Sequence, residues 1–352
     1  MTPFRYRPGR AFVMGLYFLL GLAVRLPAQL PDFKGRDFHR ADSVAALYPG
    51  HSLADLKSLS DKLTQPFPAE VDKFRAIYRW VCNNIDNDYE LYARNKAGRE
   101  RLRDKPEALR QWNQRLNPQF FQTLLREHKT MCTGYAYLVK ELAFHAGLTC
   151  RIVDGYGRTV GSNVGGSGIP NHSWNAVQLD NQWYLCDATW SSGAVDPVQG
   201  KFIKQFSEAY FLPAPALFAR NHYPLDTAWL LVADKPTLPE FLNGPLVYKS
   251  LLTYQVLPVS PGTLRVEAKR GEKCTFRLAG ESSPNPQQVA LRIERGTTAT
   301  TVHPNAYRDA SGLTNIDYVF TRKGTFIVHL LFNDAHVLTY SVRVSNVQKR
   351  QD

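Results

Sequence analysis

MCTGYAYLVKELAFHAG, residues 131–147, places a cysteine at the head of an amphipathic helix. Tyr135, Leu138, Leu142 and Ala146 recur at helical spacing, and Gly147 stands where a left-handed cap ends such a helix. Cys132 therefore falls in the first turn, where backbone N–H groups lack intrahelical partners and the helix end carries partial positive charge. Those conditions hold a sulfur as its thiolate, the form that acts as a nucleophile. The amide of Cys132 would also point to where an oxyanion develops.

Downstream the period changes. CRIVDGYG, residues 150–157, reads as a strand, followed by a loop holding Gly161, Gly165, Gly166 and Gly168. That loop directly precedes His172 and reads as a lid or as a plain connection. Two strands follow, HSWNAVQL and QWYLCDAT, joined by Asp180–Asn181, which suits a two-residue hairpin turn. In that register Leu179 faces Gln182, Trp174 lies opposite Asp187, and His172 lies opposite Thr189. His172 and Asp187 then share one face as diagonal neighbours, within reach of a hydrogen bond. A three-residue turn would separate them. Cys132, His172 and Asp187 thus form a candidate nucleophile, base and orienting acid in chain order.

Upstream, a helical pattern runs from Asp42 to Thr64, and a second helix, Glu70 to Ile85, buries Phe74, Ile77, Val81 and Ile85. The charge-dense stretch Arg94–Arg115 reads as a solvated helical insertion, with an acidic partner's docking site as the alternative. From about Leu238 the chain turns to short alternating strands, the pattern of an antiparallel β-sandwich.

The chain of 352 residues exceeds what one core usually organises. Arg5, Arg7 and Arg10 precede an apolar run, Ala11–Val24, and RLPAQL follows, the layout of a secretory signal peptide. Cleavage is expected near Ala28–Gln29, with a retained anchor as the alternative. The mature protein is expected to be secreted or periplasmic, with no transmembrane span. Loss of four arginines and no acids takes the formal charge from +12 to +8, which suits contact with a cell surface or anionic polysaccharide. No stacking platform or zinc finger supports nucleic-acid binding.

Five cysteines, Cys82, Cys132, Cys150, Cys186 and Cys274, leave at least one unpaired, and none is arranged as CxxC. No metal or cofactor is expected. Cys186, beside Asp187, faces the opposite side of its strand and reads as core. If HSWNAV lies between their strands, Cys150 and Cys186 stand too far apart to bond.

The blocks MCTGYAYLVKELAFHAGLTCRIVDGYG and NHSWNAVQLDNQWYLCDATW, with the preceding helix FRAIYRWVCNNIDNDY, closely resemble the transglutaminase-like superfamily of papain-type folds. YFLPAPALFARNHYPLDTAW resembles the sequel found in its kyphoscoliosis-peptidase-like branch. The resemblance implies Cys132 as nucleophile, His172 as base and Asp187 as its orienter. It also implies a second oxyanion donor from a side chain. Position 126, where papain's spacing would put a glutamine, is Arg126, so Trp80 and Tyr89 stand as candidates. Trp174, Trp190, Tyr135 and Tyr156 are candidate substrate-groove residues, with core packing as their alternative. His222 reads as an interdomain hydrogen-bonding residue, or else as a second base.

The expected architecture is α+β: a signal peptide (1–28), a papain/transglutaminase-like domain with a helical N-terminal part (29–235) and an immunoglobulin-like β-sandwich (236–352). The expected function is an exported thiol enzyme that acts on protein or peptide amides through a Cys132 thioester, by hydrolysis or by transfer to an amine. The alternative is a catalytically idle cell-surface binding or scaffold protein.

Overall fold

A computed structural model describes residues 33, 35–196, 199–280 and 286–346; the expected leader, residues 1–28, lies outside them. The first helical pattern resolves into two helices, α1 (His39–Ala46) and α2 (Leu56–Thr64). Pro49 and Gly50 cause the break, since proline disfavours helix at the residue before it and Gly50 takes a φ of 62°. Asp55 restarts the helix by accepting the Ser58 N–H at 2.9 Å. α3 (Glu70–Asn84) follows and buries Phe74, Ile77 and Val81.

The next segment is an excursion. It leaves through β1 (Asp86–Asn87), runs through α4 (Tyr89–Arg101) and α5 (Pro106–Glu127), and returns through β2 (Lys129–Thr130), which pairs with β1 in parallel. It contains the charge-dense stretch Arg94–Arg115, which is largely helical and mostly exposed, as expected, with Asn95 and Gly98 buried; apolar residues flank it. Leu91 on α4, Leu116 and Phe120 on α5, and Met131 form a small buried core of their own. Gly98 lets the two helices touch, because a Cβ there would lie 2.3 Å from the Trp112 ring. α6 (Cys132–His145) starts immediately after the return, so the excursion hangs over its first turn.

The sheet behind α6 contains β3 (Thr149–Gly157), β4 (His172–Leu179) and β5 (Gln182–Cys186), followed by α7 (Ala188–Ser192). A hairpin of β6 (Gly193–Asp196) and β7 (Lys201–Lys204) precedes β8 (His222–Pro224), which completes a four-stranded sheet in the order β5-β4-β3-β8. Asp180 and Asn181 have φ of 49° and 65°, the left-handed pair that a two-residue turn requires. Leu179 faces Gln182 and Asn175 faces Cys186, the register expected from turn length. Val177, Leu179, Cys150 and Cys186 join the core formed with α2, α3 and α6. Val153, Trp174, Ala176 and Leu185 join a second core that continues into the C-terminal strands. With both faces buried, a one-residue slip would turn every side chain to the wrong side.

The C-terminal region is a two-sheet sandwich. One sheet pairs Leu257–Ser260, Lys273–Ala279, Thr314–Val319 and Asn305–Arg308 in that order. The other runs Arg265–Lys269, Ala335–Ser345, Gly324–Phe332, Val289–Arg295 and Thr298–Val302. Phe276, Leu278 and Ile316 of the first meet Val328, Leu330 and Val342 of the second. Two details differ from expectation. Arg265–Lys269 pairs in parallel with Ala335–Ser345, so the sandwich is not wholly antiparallel. The first strand paired into the sandwich is the short Leu246–Val247, against Ala335–Ser345, and the longer strands begin at Leu257, because Leu238–Asn243 and Lys249–Tyr254 are helical. Thr237 and Glu240 form a capping box, with Pro239 in the first turn, and this starts the earlier helix.

Candidate active site

α6 begins where Met131 takes an extended backbone, and the first intrahelical bonds run from Gly134 and Tyr135 N–H to the Met131 carbonyl. The amides of Cys132 and Thr133 lie ahead of those bonds, at the open end of the helix. A Cβ at Gly134 would lie 2.0 Å from Thr130 Oγ1, so glycine lets the chain fold this tightly from β2 into α6. Cys132 is partly exposed. The His172 imidazole and the Ser173 backbone N–H both act on its sulfur and favour the ionised form.

His172 opens β4, and its Nε2 lies 2.7 Å from Asp187 Oδ2. With Nε2 thus engaged, Nδ1 is the ring nitrogen left for the sulfur. Gly157 makes room for this ring, since a Cβ there would be 2.9 Å from the His172 Cβ. Trp190 stacks on the opposite side, with ring centroids 4.9 Å apart.

Asp187 is fully buried and stands at the N-cap of α7. Its Oδ1 accepts the Thr189 N–H at 2.8 Å and the Trp190 N–H at 3.1 Å. A second imidazole reaches Oδ2: His222 Nε2, at 3.0 Å. His222 is buried on β8, its Nδ1 is 2.7 Å from the Asn221 side-chain amide, and Phe218 stacks on it at 3.8 Å. It therefore belongs to the sheet's own site, not to an interdomain contact, and with Nε2 taken by Asp187 and Nδ1 by Asn221 neither nitrogen is left to act as a second base. His172, Asp187 and His222 group their ligand atoms within 4.8 Å, but both nitrogens meet the same oxygen at hydrogen-bond distance. That is how a carboxylate accepts two N–H groups.

Burial would raise the Asp187 pKa, yet the charges and hydrogen bonds of His172 and His222 hold it well below the usual carboxylate range. Burial pushes His222 down to about 4, against the pull of Asp187, so this ring is neutral at pH 7. His172 goes the other way. Burial disfavours its charge, but Asp187 and Cys132 raise it to about 10. For Cys132 burial alone would push the thiol up, and the His172 hydrogen bond and charge, the Ser173 N–H and the Arg99 charge together bring it below its ordinary value. Each partner thus favours the charged form of the other, thiolate beside imidazolium. The other cysteines differ: burial pushes Cys150 up to about 12 and Cys82 and Cys186 up as well. All five are free, and β4 separates Cys150 from Cys186 as the strand order requires.

A narrow cleft leads to the sulfur. α4 supplies Tyr92, Lys96 and Arg99 on one wall, and the glycine-rich loop supplies Ser162, Asn163 and Asn171 on the other. The loop is pinned. Asn163 donates to the Gly157 carbonyl at 3.0 Å and the Ile169 carbonyl at 3.1 Å, and accepts the Ile169 N–H at 2.8 Å. Gly165 N–H binds the Leu242 carbonyl at 2.8 Å. A roomier hollow lies around Arg75, which pairs with Asp42 and Glu208; it holds no nucleophile, so the chemistry is assigned to the cleft.

Of the other candidates, Trp190 is partly exposed against the imidazole, and Tyr156 lies beneath the glycine-rich loop, beside Tyr223. Trp174 is 1% exposed and packs edge-on to Phe218 and His222, so it supports the site and lines no groove. Tyr135 is fully buried and donates to the Ile85 carbonyl at 2.7 Å; it too is core. The oxyanion candidates are placed elsewhere. Trp80 is fully buried, and its indole N–H binds the Tyr48 carbonyl at 2.7 Å. Tyr89 packs beside Gly200 and Tyr92, and it is Tyr92 that lines the cleft. Arg126 is exposed on α5. Sequence reading missed Ser173, Asn163 and Arg99 as parts of this site, and it singled out His222 without its role as a partner of Asp187. The asparagine amid the glycines was a signal, since asparagine tolerates the φ of 57° that Asn163 adopts.

Residues 57–188 match the transglutaminase-like superfamily. Over 239 residues the chain is 31% identical to human kyphoscoliosis peptidase, covering 67% of this chain and 33% of that protein. Its mouse counterpart is 33% identical over 219 residues, covering 62% and 30%. Hillarin of Drosophila melanogaster is 25% identical over 236 residues, covering 62% and 26%. The chain thus spans about a third or less of the length of these relatives. Among the described residues, no helix is long and apolar enough to cross a membrane.

Proposed function

We propose that this chain, which carries a transglutaminase-like domain of the kyphoscoliosis-peptidase-like branch, is a thiol enzyme that cleaves or transfers the acyl group of protein amides. The observation that carries this reading is the continuous relay from the Cys132 sulfur through His172 to Asp187.

The thiolate attacks the amide carbonyl carbon, and the carbonyl pair moves onto oxygen, facing the Cys132 amide at the helix end. The imidazolium gives its proton to the departing nitrogen, the C–N bond breaks, and an S-acyl thioester remains. The now neutral imidazole takes a proton from the incoming nucleophile, which displaces the sulfur and restores the thiolate. With water the product is an acid; with a lysine amine it is a new amide. We favour hydrolysis, since water is always present and the relative's name is that of a peptidase. Asp187 holds the ring in one orientation and stabilises its charge, and His222 holds Asp187. The basic head and apolar run at residues 5–24 support a reaction outside the cytoplasm.

The test is labelling by iodoacetamide. Cys132 should react far faster than a free thiol at pH 6–7, and His172→Ala should remove that advantage. An ordinary rate at Cys132 in the unaltered protein sinks the reading. Incubation of peptides with a labelled primary amine then separates hydrolysis from transfer.

A further inference from the structure

The roof of the cleft carries a guanidinium with no ion-pair partner among the described residues. Lys96, Arg99 and Glu100 of α4 all line the cleft. Glu100 is bound by Arg103 at 2.9 Å, and Lys96 Nζ donates to the Gly161 carbonyl at 3.1 Å. Arg99 is different. Its Nη1 donates to the Pro170 carbonyl, which fixes the guanidinium plane, but its Nε is buried with no partner among the described residues. Asp154 influences Arg99 only through space, and its Oδ1 accepts the Ser173 hydroxyl at 2.6 Å. The guanidinium charge reaches the Cys132 sulfur.

A buried donor without an acceptor signals a site that is complete only when an acceptor arrives. The planar fork of a guanidinium matches a carboxylate better than any neutral group. We propose that Arg99 is the specificity-determining residue of the cleft, receiving a carboxylate of the acyl donor close to the carbonyl that Cys132 attacks. The inference rests on the thiol chemistry proposed above. The carboxylate belongs to an acidic side chain or to a free C-terminus, two sources of one chemistry.

The experiment compares iodoacetate, which carries a carboxylate, with iodoacetamide, its neutral counterpart, at Cys132 in the full chain. The ratio of the two rates cancels the thiolate fraction, so it reports on recognition of the carboxylate alone. In Arg99→Gln the ratio should fall about tenfold, the scale of one lost charge-assisted hydrogen bond, and Arg99→Lys should recover part of it. A ratio unchanged in Arg99→Gln, with Cys132 still highly reactive, overturns this inference and leaves the thiol enzyme standing. A Cys132 of ordinary reactivity in the unaltered protein overturns both. Protection of Cys132 from iodoacetamide then distinguishes the sources. N-acetyl-alanyl-aspartate amide should protect if a side chain is read, and N-acetyl-alanyl-alanine if a C-terminus is read; protection by neither overturns the proposal.

Discussion

The floor and the roof of the cleft are built on different principles. The floor, made by the first turn of α6, the β4–β5 hairpin, α7 and β8, lies between two buried cores and holds the groups that bond to Asp187 or act on the sulfur. The roof, made by α4 and the glycine-rich loop, has a small core of its own and is held down by single polar contacts such as those of Asn163. The floor fixes what reaction is available; the roof governs what is admitted to it. Geometry tolerant of about an ångström at the roof is intolerable at the floor, where proton transfer requires hydrogen-bond distances.

Substitutions can break that contrast. The largest effect is expected from Asp187→Asn, which keeps the shape but removes the charge that sustains the imidazolium. Amide turnover should fall about a thousandfold or more, and the midpoint of Cys132 alkylation should rise towards that of a free thiol. His222→Phe comes next. Loss of one hydrogen bond to a charged group is worth about 1.5–3 kcal/mol, so kcat should fall about ten- to a hundredfold with the alkylation midpoint displaced upwards. A residue that merely filled space would leave that midpoint alone.

The pH profile sharpens the same point. The active pair is thiolate plus imidazolium, so turnover should rise with pH through the lowered Cys132 midpoint. It should decline again as His172 loses its proton near 10. The linked effect on stability has opposite signs at the two partners. His172, raised in the folded state, stabilises the protein at low and neutral pH and loses that contribution as pH climbs through about 10. Asp187, depressed, contributes above about pH 4, the unfolded carboxylate value, and loses it as pH falls. Urea midpoints measured across pH should show both flanks flattened in Asp187→Asn.

The smallest effect is expected at the roof. Asn163→Ala removes the pins of the glycine-rich loop and should raise KM about three- to tenfold with kcat little changed. A collapse of kcat equal to that of Asp187→Asn would erase the distinction between the two regions.

The floor was legible in the sequence because its signals are local. A two-residue turn sets the β4–β5 register, and that register alone joins His172 to Asp187. The helix spacing after Cys132 likewise fixes the thiol in the first turn. His222 was not legible as a partner of Asp187, because it reaches that carboxylate through the pairing of β8 with β3, opposite Gly157, and nothing in the 34 residues between the two specifies that partner. Trp80 and Tyr89 show the limit of reasoning from type. An indole or a phenol suits an oxyanion, but helical periodicity tells which face is buried, not what that face meets. In the charged excursion the polar composition masked the thin apolar seam of Leu91, Leu116 and Phe120, and with it the side that turns Arg99 inward.

β8 is the last strand to join its sheet, and it brings the second imidazole with it. A chain emerging amino end first would present Cys132, His172 and Asp187 before residue 222. Asp187 therefore gains its second imidazole only once the sheet's outer edge is in place, so the carboxylate at the centre of the site reports that the whole sheet is complete.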